Sequence, residues 1–218
     1  PSGNVDALSA SNIGIMTISE DVQPELTLGS FLMEKTYGDA NFSQTVSGGT
    51  DGATKTYEIV SGSDFIDIDA TTGEITIKKP GTAVVKVTAS KTGYTDATAQ
   101  FAVQIEKKVV DIALGDSKTY EGQVIVAPYT LSGEIEGNPL TANDIHFTYQ
   151  NQDATVTNVH EFRNVGNYYV TAEINSDNEY YHSNGTASKM IQITKAPLTI
   201  TVNNDYILYG DAAPTYSV

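Results

Sequence analysis

Cysteine is absent from all 218 residues. That excludes a disulfide framework, a thiolate metal site and a cysteine nucleophile. Tryptophan is absent too, and histidine occurs only as His146, His160 and His182. Cations are scarce: twelve Lys plus Arg stand against twenty-seven Asp plus Glu, a net charge of −15. Nucleic-acid backbones are bound by cations that displace counterions, so this balance argues against nucleic acid as a partner and disfavours anionic membrane surfaces. No run approaches the roughly 18 apolar residues of a membrane-spanning helix, so direct membrane insertion is not expected. What is present, 39% hydrophobic and 18% charged residues, is a globular composition large enough for one big or two ordinary domains.

No window carries a sustained i, i+3, i+4, i+7 apolar pattern, whereas short alternating stretches recur along the whole chain. In Thr98–Glu106, Phe101, Val103 and Ile105 share one face while Ala102, Gln104 and Glu106 share the other. Val85/Val87, Ile75/Ile77 and Val170/Ala172/Ile174 alternate with polar neighbours in the same way. Turn clusters such as Ser47-Gly48-Gly49, Ala70-Thr71-Thr72-Gly73, Pro80-Gly81 and Asn184-Gly185 separate them. Short strands punctuated this often predict an all-β protein, a sandwich or a barrel.

The pattern repeats. Lys35-Thr36-Tyr37-Gly38-Asp39-Ala40 returns as Lys118-Thr119-Tyr120-Glu121-Gly122 and as Tyr209-Gly210-Asp211-Ala212, placing the tyrosines 83 and 89 residues apart. Two full units are expected at residues 24–106 and 107–194, closing at Ile105-Glu106-Lys107 and Ile193-Thr194-Lys195. Residues 1–23 read as the closing strand of an upstream repeat or a linker, and residues 195–218 as the opening strand of a truncated third repeat. Ile13–Ile18 and Pro197–Val202 have strand patterns without a sheet of their own, so each is expected to pair with a neighbouring sheet.

Tyr37–Ser43, Gly73-Glu74-Ile75-Thr76-Ile77, Gly81–Ala89 and Gly93-Tyr94 resemble the bacterial Ig-like (Big-type) repeats of large surface proteins. Val165–Ala172, Asn178-Glu179-Tyr180-Tyr181 and Lys195–Val202 are similar to the related MBG-type repeats. The resemblance runs from about residue 24 to the end. It implies tandem Ig-like Greek-key β-sandwiches, export, and an adhesive or spacer role, and it brings no active site and no cofactor.

The residues themselves bear on four kinds of chemistry. Ile66–Ile75 contains an I-D-x-x-T-G hairpin that cadherin-like domains share, but Lys78-Lys79 follows where further ligands would be needed. Calcium takes six to eight oxygens from several segments, so a structural hairpin is expected and no metal site. The histidine spacings of 14 and 22 match no short metal motif. The sequence has no G-x-S-x-G nucleophile elbow. Asp64, Asp67, Asp69 and Glu74 could supply a glycosidase's two carboxylates, but a sandwich of this size leaves little room for a sugar cleft, so an acidic, solvated face is expected.

Tyrosine is abundant, at thirteen residues. Tyr168 and Tyr169 must point to opposite faces of a strand, one into the core and one outward. Tyr180 and Tyr181 fall in what reads as a loop and are the candidate ligand-contact residues, since exposed tyrosine suits sugar or protein contacts. The expected function is that of a non-catalytic extracellular module, on the surface of a bacterium or secreted, serving as stalk or spacer and in adhesion. Its partners would be adjacent repeats of the same polypeptide and a host protein, matrix protein or glycan. The alternative is a carbohydrate-binding accessory module of a secreted polysaccharide hydrolase.

Overall fold

The computed structural model describes residues 19–124, 126–152, 164–201, 208–210 and 212. Among them none forms a helix long and apolar enough to cross a membrane. The chain divides into two compact units. One gathers the chain up to Lys108 together with Asp177–Tyr181, and the other gathers Val109–Ser176 and the residues from His182 onward.

The first unit contains β1 (Asp21–Val22), β2 (Leu26–Leu28), β3 (Leu32–Thr36), β4 (Phe42–Ser43), β5 (Val46–Gly48), β6 (Thr54–Ser61), β7 (Ile66–Ile68), β8 (Glu74–Ile77), β9 (Gly81–Ser90), β10 (Tyr94–Thr95) and β11 (Ala97–Glu106). A four-stranded sheet of order β3-β11-β9-β6 stands against a three-stranded sheet β4-β8-β7, with β2-β5 and β1-β10 as short additional ladders. The alternation along β9 and β11 drives Ala83, Val85, Val87, Phe101, Val103 and Ile105 into a core that also contains Leu28, Ile66 and Ile75 from the facing strands. Connections that leave one sheet, visit the other and return make the order non-sequential, as in an Ig-like Greek-key sandwich.

The second unit repeats the plan with β12 (Lys108–Leu114), β13 (Ser117–Thr119), β14 (Tyr129–Ser132), β15 (Ile145–Asn151), β16 (Gly166–Ile174), β17 (Tyr181–Ser183) and β18 (Ala187–Thr194). Its sheets have the orders β13-β18-β16-β15 and β14-β12-β17. Val110, Leu114, Ile145, Val170, Ala172, Ile174, Ile191 and Ile193 are buried at alternate positions. The tyrosine pair resolves as its alternation requires: Tyr168 is buried and Tyr169 exposed.

The repeat read from the sequence is a repeat of hydrogen bonding. In the first unit β3 runs parallel to β11 with Lys35 opposite Ile105 and Thr36 opposite Glu106, and the Tyr37 amide then donates to the Glu106 carbonyl at 2.9 Å. In the second unit β13 runs parallel to β18 with Lys118 opposite Ile193 and Thr119 opposite Thr194, and the Tyr120 amide donates to the Thr194 carbonyl at 2.8 Å. The turn after the motif keeps its handedness in the third copy, where Gly210 has φ 103° against 90° at Gly38. Glycine adopts that left-handed region without the steric penalty of a Cβ.

For the described part of one terminal stretch, pairing within this chain is corrected. The part of Pro197–Val202 that is described, residues 197–201, forms no strand and pairs with no sheet of this chain, and Leu198 and Ile200 are 84% and 77% exposed. A β pattern becomes a strand only where a neighbour takes its backbone donors and a facing layer covers its apolar side. Ile13–Ile18 and Val202 lie outside the described residues.

Because each core is built from its own strands, truncating one should leave the other intact. Phe101→Ala, at about 3–5 kcal/mol, and Ile191→Ala, at about 2–5 kcal/mol, should each depress a different calorimetric transition. Both variants shifting the same transition would show that the two cores melt as one.

Candidate contact site

Tyr180 and Tyr181 are placed by a tight local turn. The Asn178 side-chain oxygen accepts hydrogen bonds from the Tyr180 amide at 3.0 Å and the Tyr181 amide at 2.9 Å. Asn folds the backbone back on itself through such Asx contacts. The Asn178 carbonyl accepts from Lys107 Nζ at 2.6 Å, and the Tyr180 carbonyl accepts from the Lys108 amide at 2.9 Å. The segment Asp177–Tyr181 thereby packs as part of the first compact unit.

The rings close on Tyr37, the tyrosine of the repeated motif. Tyr37 and Tyr180 lie 5.0 Å apart at a 47° tilt, and Tyr37 and Tyr181 lie 6.0 Å apart, edge to face at 80°. Tilted and edge-on arrangements at these separations suit the ring quadrupoles. The consequence corrects the reading of both rings as exposed. Tyr181 opens β17 rather than lying in a loop and is 1% exposed, while Tyr180 is half-buried. A ring as deeply buried as Tyr181 serves packing, and only part of Tyr180 faces solvent. Sequence reasoning had singled out Tyr37 as a repeat marker and missed its partnership with the pair, because nothing in the spacing of residues 37 and 180 signals proximity.

The acidic hairpin is organised around its turn. Asp69 Oδ1 accepts from the Thr71 amide and hydroxyl at 2.8 and 2.7 Å and from the Thr72 amide at 2.8 Å. The Thr71 hydroxyl bond, followed by the two backbone amides, holds the Asp69 carboxyl well below the usual carboxylate range. Gly73 closes the turn at φ +71°, and a Cβ there would stand 2.7 Å from the Tyr57 ring. Asp67 meets Lys78 Nζ at 3.3 Å, so Lys78 neutralises a carboxylate rather than completing an oxygen cage. Among the described residues no group of three His, Asp or Glu is placed to hold a metal ion. His146 and His182 are exposed on separate strands, and His160 lies outside the described residues.

No family model matches the sequence, and no curated protein matches it. Among solved structures the chain is similar to mouse cadherin-23 EC22-24, with a TM-score of 0.33 and 12% identity, over 79% of this chain and 65% of that one. It is similar to the protocadherin GammaB4 extracellular domain at a TM-score of 0.34 and 9% identity, over 80% and 35% of the two chains. Human mucin-like protocadherin EC1-2 gives 0.34 and 9% over 78% of this chain and 98% of that one. The match therefore spans less than two thirds of the first two proteins' chains. TM-scores in this range carry no argument about this chain, and its fold stands on its own strand order and register.

Two outcomes test the local chemistry. Tyr181→Ala should cost about 3–5 kcal/mol, as for other buried aromatic rings, with Tyr180→Ala costing clearly less in denaturant titrations. Equal, small losses would return both rings to the surface. For Asp69 the folded pKa is depressed, so its contribution is complete above the unfolded value of about 3.9 and is lost as pH falls toward the folded value. The stability difference between wild type and Asp69→Asn, which keeps the acceptor oxygen but not the charge, should be flat above about pH 5 and shrink below about pH 4. A difference that stays constant down to pH 2 would mean the charge contributes nothing to the turn.

Proposed function

We propose that the chain is a non-catalytic extracellular module of a bacterial cell-surface or secreted protein, acting as stalk or spacer and in adhesion. The division that goes with it is two Ig-like units, 24–106 and 107–194, with 1–23 as the closing strand of an upstream repeat or a linker and 195–218 as the opening strand of a further repeat. Its partners would then be adjacent repeats of the same polypeptide and a host or matrix component. The motif resemblance to tandem surface repeats supports the bacterial and exported parts of this reading, and the lack of cysteine is compatible with them.

The observation that carries the spacer role is the parallel pairing of an early strand with the closing strand in each unit, β3 with β11 and β13 with β18. When a chain is pulled through a unit, force reaches the four-stranded sheet through its early strand, β3 or β13, and leaves it through its last, β11 or β18. If those strands are parallel neighbours, the force runs along them and shears several backbone hydrogen bonds at once; antiparallel neighbours would unzip one bond at a time. A unit wired in this way transmits tension without opening, which is what a stalk element must do.

Single-molecule force spectroscopy on the chain held at its two ends tests this. Two unfolding events at forces well above those of a zipper-loaded control domain are expected. Lys35→Pro, which removes an amide that β3 turns toward β11, should lower one event only. Extension at low force with no discrete events would overturn the spacer reading.

A further inference from the structure

The outer faces of the two four-stranded sheets can be compared position by position, because both are anchored by the same register. Ile105 pairs with Gly81 on one side and Lys35 on the other, and Ile193 pairs with Gly166 and Lys118. Counting from these anchors, the Glu58–Lys86 cross-strand pair of the first unit corresponds to Thr148–Thr171 of the second. Glu34 corresponds to Ser117, Gln104 to Gln192, and the aliphatic pair Val84–Ala102 to Tyr169–Met190.

The exchange is systematic. In the first unit the face carries an ion pair, Lys86 Nζ to Glu58 at 2.6 Å, and a further carboxylate at Glu34. With Glu106 also on the first face, the second unit holds hydroxyl residues at all four charged positions, Thr194 standing for Glu106, and Thr148 and Thr171 join their hydroxyls at 2.5 Å where the ion pair stood. At the same time two small aliphatic positions have become a tyrosine and a methionine standing side by side, 42% and 48% exposed. Gln150 pairs with Tyr169 across the other side of the strand, and Asn167 donates to Gln152 at 2.8 Å at the end of the face. Charge returns only at the opposite end, where His146 faces Glu173.

In a chain of net charge −15, a sheet face cleared of ions is the exception, and its make-up fits one kind of partner. Amides and hydroxyls each both donate and accept hydrogen bonds, matching the hydroxyls of a sugar, and an exposed tyrosine gives a flat apolar surface with a polar tip for the C–H face of a sugar ring. Among the described residues a cationic partner would find no carboxylate across the body of this face. An anionic one would meet the field of the whole molecule. Protein interfaces also favour tyrosine and methionine but are depleted in serine, whereas this face presents Ser117 and Ser188. Four strands about 4.8 Å apart, read over a span of about 13 Å along each strand, form a broad platform for a few consecutive sugar rings.

We infer that the outer face of β13-β18-β16-β15, centred on Tyr169 and Met190, is a binding surface for an uncharged polysaccharide. This goes beyond the spacer role and does not depend on it, and it places sugar contact on the sheet rather than at Tyr180 and Tyr181.

Affinity electrophoresis and calorimetric titration of the 218-residue chain test it, using soluble β-glucan, xylan, galactomannan and dextran, with alginate and chitosan as charged controls. At least one neutral glycan should bind and both charged ones should not. Tyr169→Ala should weaken binding about tenfold or more, whereas Tyr180→Ala should leave it unchanged. Because Glu and Lys already occupy the equivalent backbone positions of the first unit, the double variant Thr148→Glu/Thr171→Lys should fold with an unaltered melting temperature and lose binding. Absence of binding to every neutral glycan overturns the proposal, as does binding indifferent to both face variants. Concentration-dependent self-association that disappears in Tyr169→Ala would also overturn it, by showing the face to be an interface between copies.

Discussion

A parallel pair of strands cannot be joined by a tight turn. Once Lys35 takes Ile105 as its register partner, the 69 residues between them must leave the sheet and come back. Both units satisfy this constraint identically, and the rest of their architecture follows from it. The intervening chain supplies β4, β7 and β8 of the second sheet in the first unit, and β14 and β17 beside the earlier β12 in the second; it returns through β9 or β16 to flank the closing strand on its other side. β11 and β18 are therefore interior strands, each bonded on two sides, and their alternating apolar residues lie at the centre of the core.

This explains which features could be read without coordinates. The strictly alternating stretches around Val85, Phe101 and Val170 are legible because burial on one sheet face imposes a period of two on the sequence. The Lys-Thr-Tyr repeat is legible because the same register demands recur in each unit. The parallel sense of the first pairing is not, since β3 and β13 alternate in the same way whichever direction their neighbour runs.

The tyrosines show the same limit from the side of function. That one of Tyr168 and Tyr169 must be exposed follows from the pleat, but its neighbours follow only from the cross-strand register that sets Met190 and Gln150 beside Tyr169. Tyr180 and Tyr181 sit where turn-forming residues suggest an open loop, yet Tyr37, distant in sequence, covers them. Leu198 and Ile200 show the converse. Their alternation is as regular as that of β18, and without a partner layer it produces no strand.

The position of the closing strand also bears on how such a chain comes into being. Synthesis and threading through a pore both deliver a polypeptide from its N-terminus. Until Ala97–Glu106 has emerged, β3 and β9 have no common neighbour, and the same is true of β13 and β16 before Ala187–Thr194. Each unit thus stays pliable for nearly its whole length and locks with the arrival of its last ten or so residues. Contacts made so far apart in sequence form slowly. Locking then occurs unit by unit, in the order in which the chain is released.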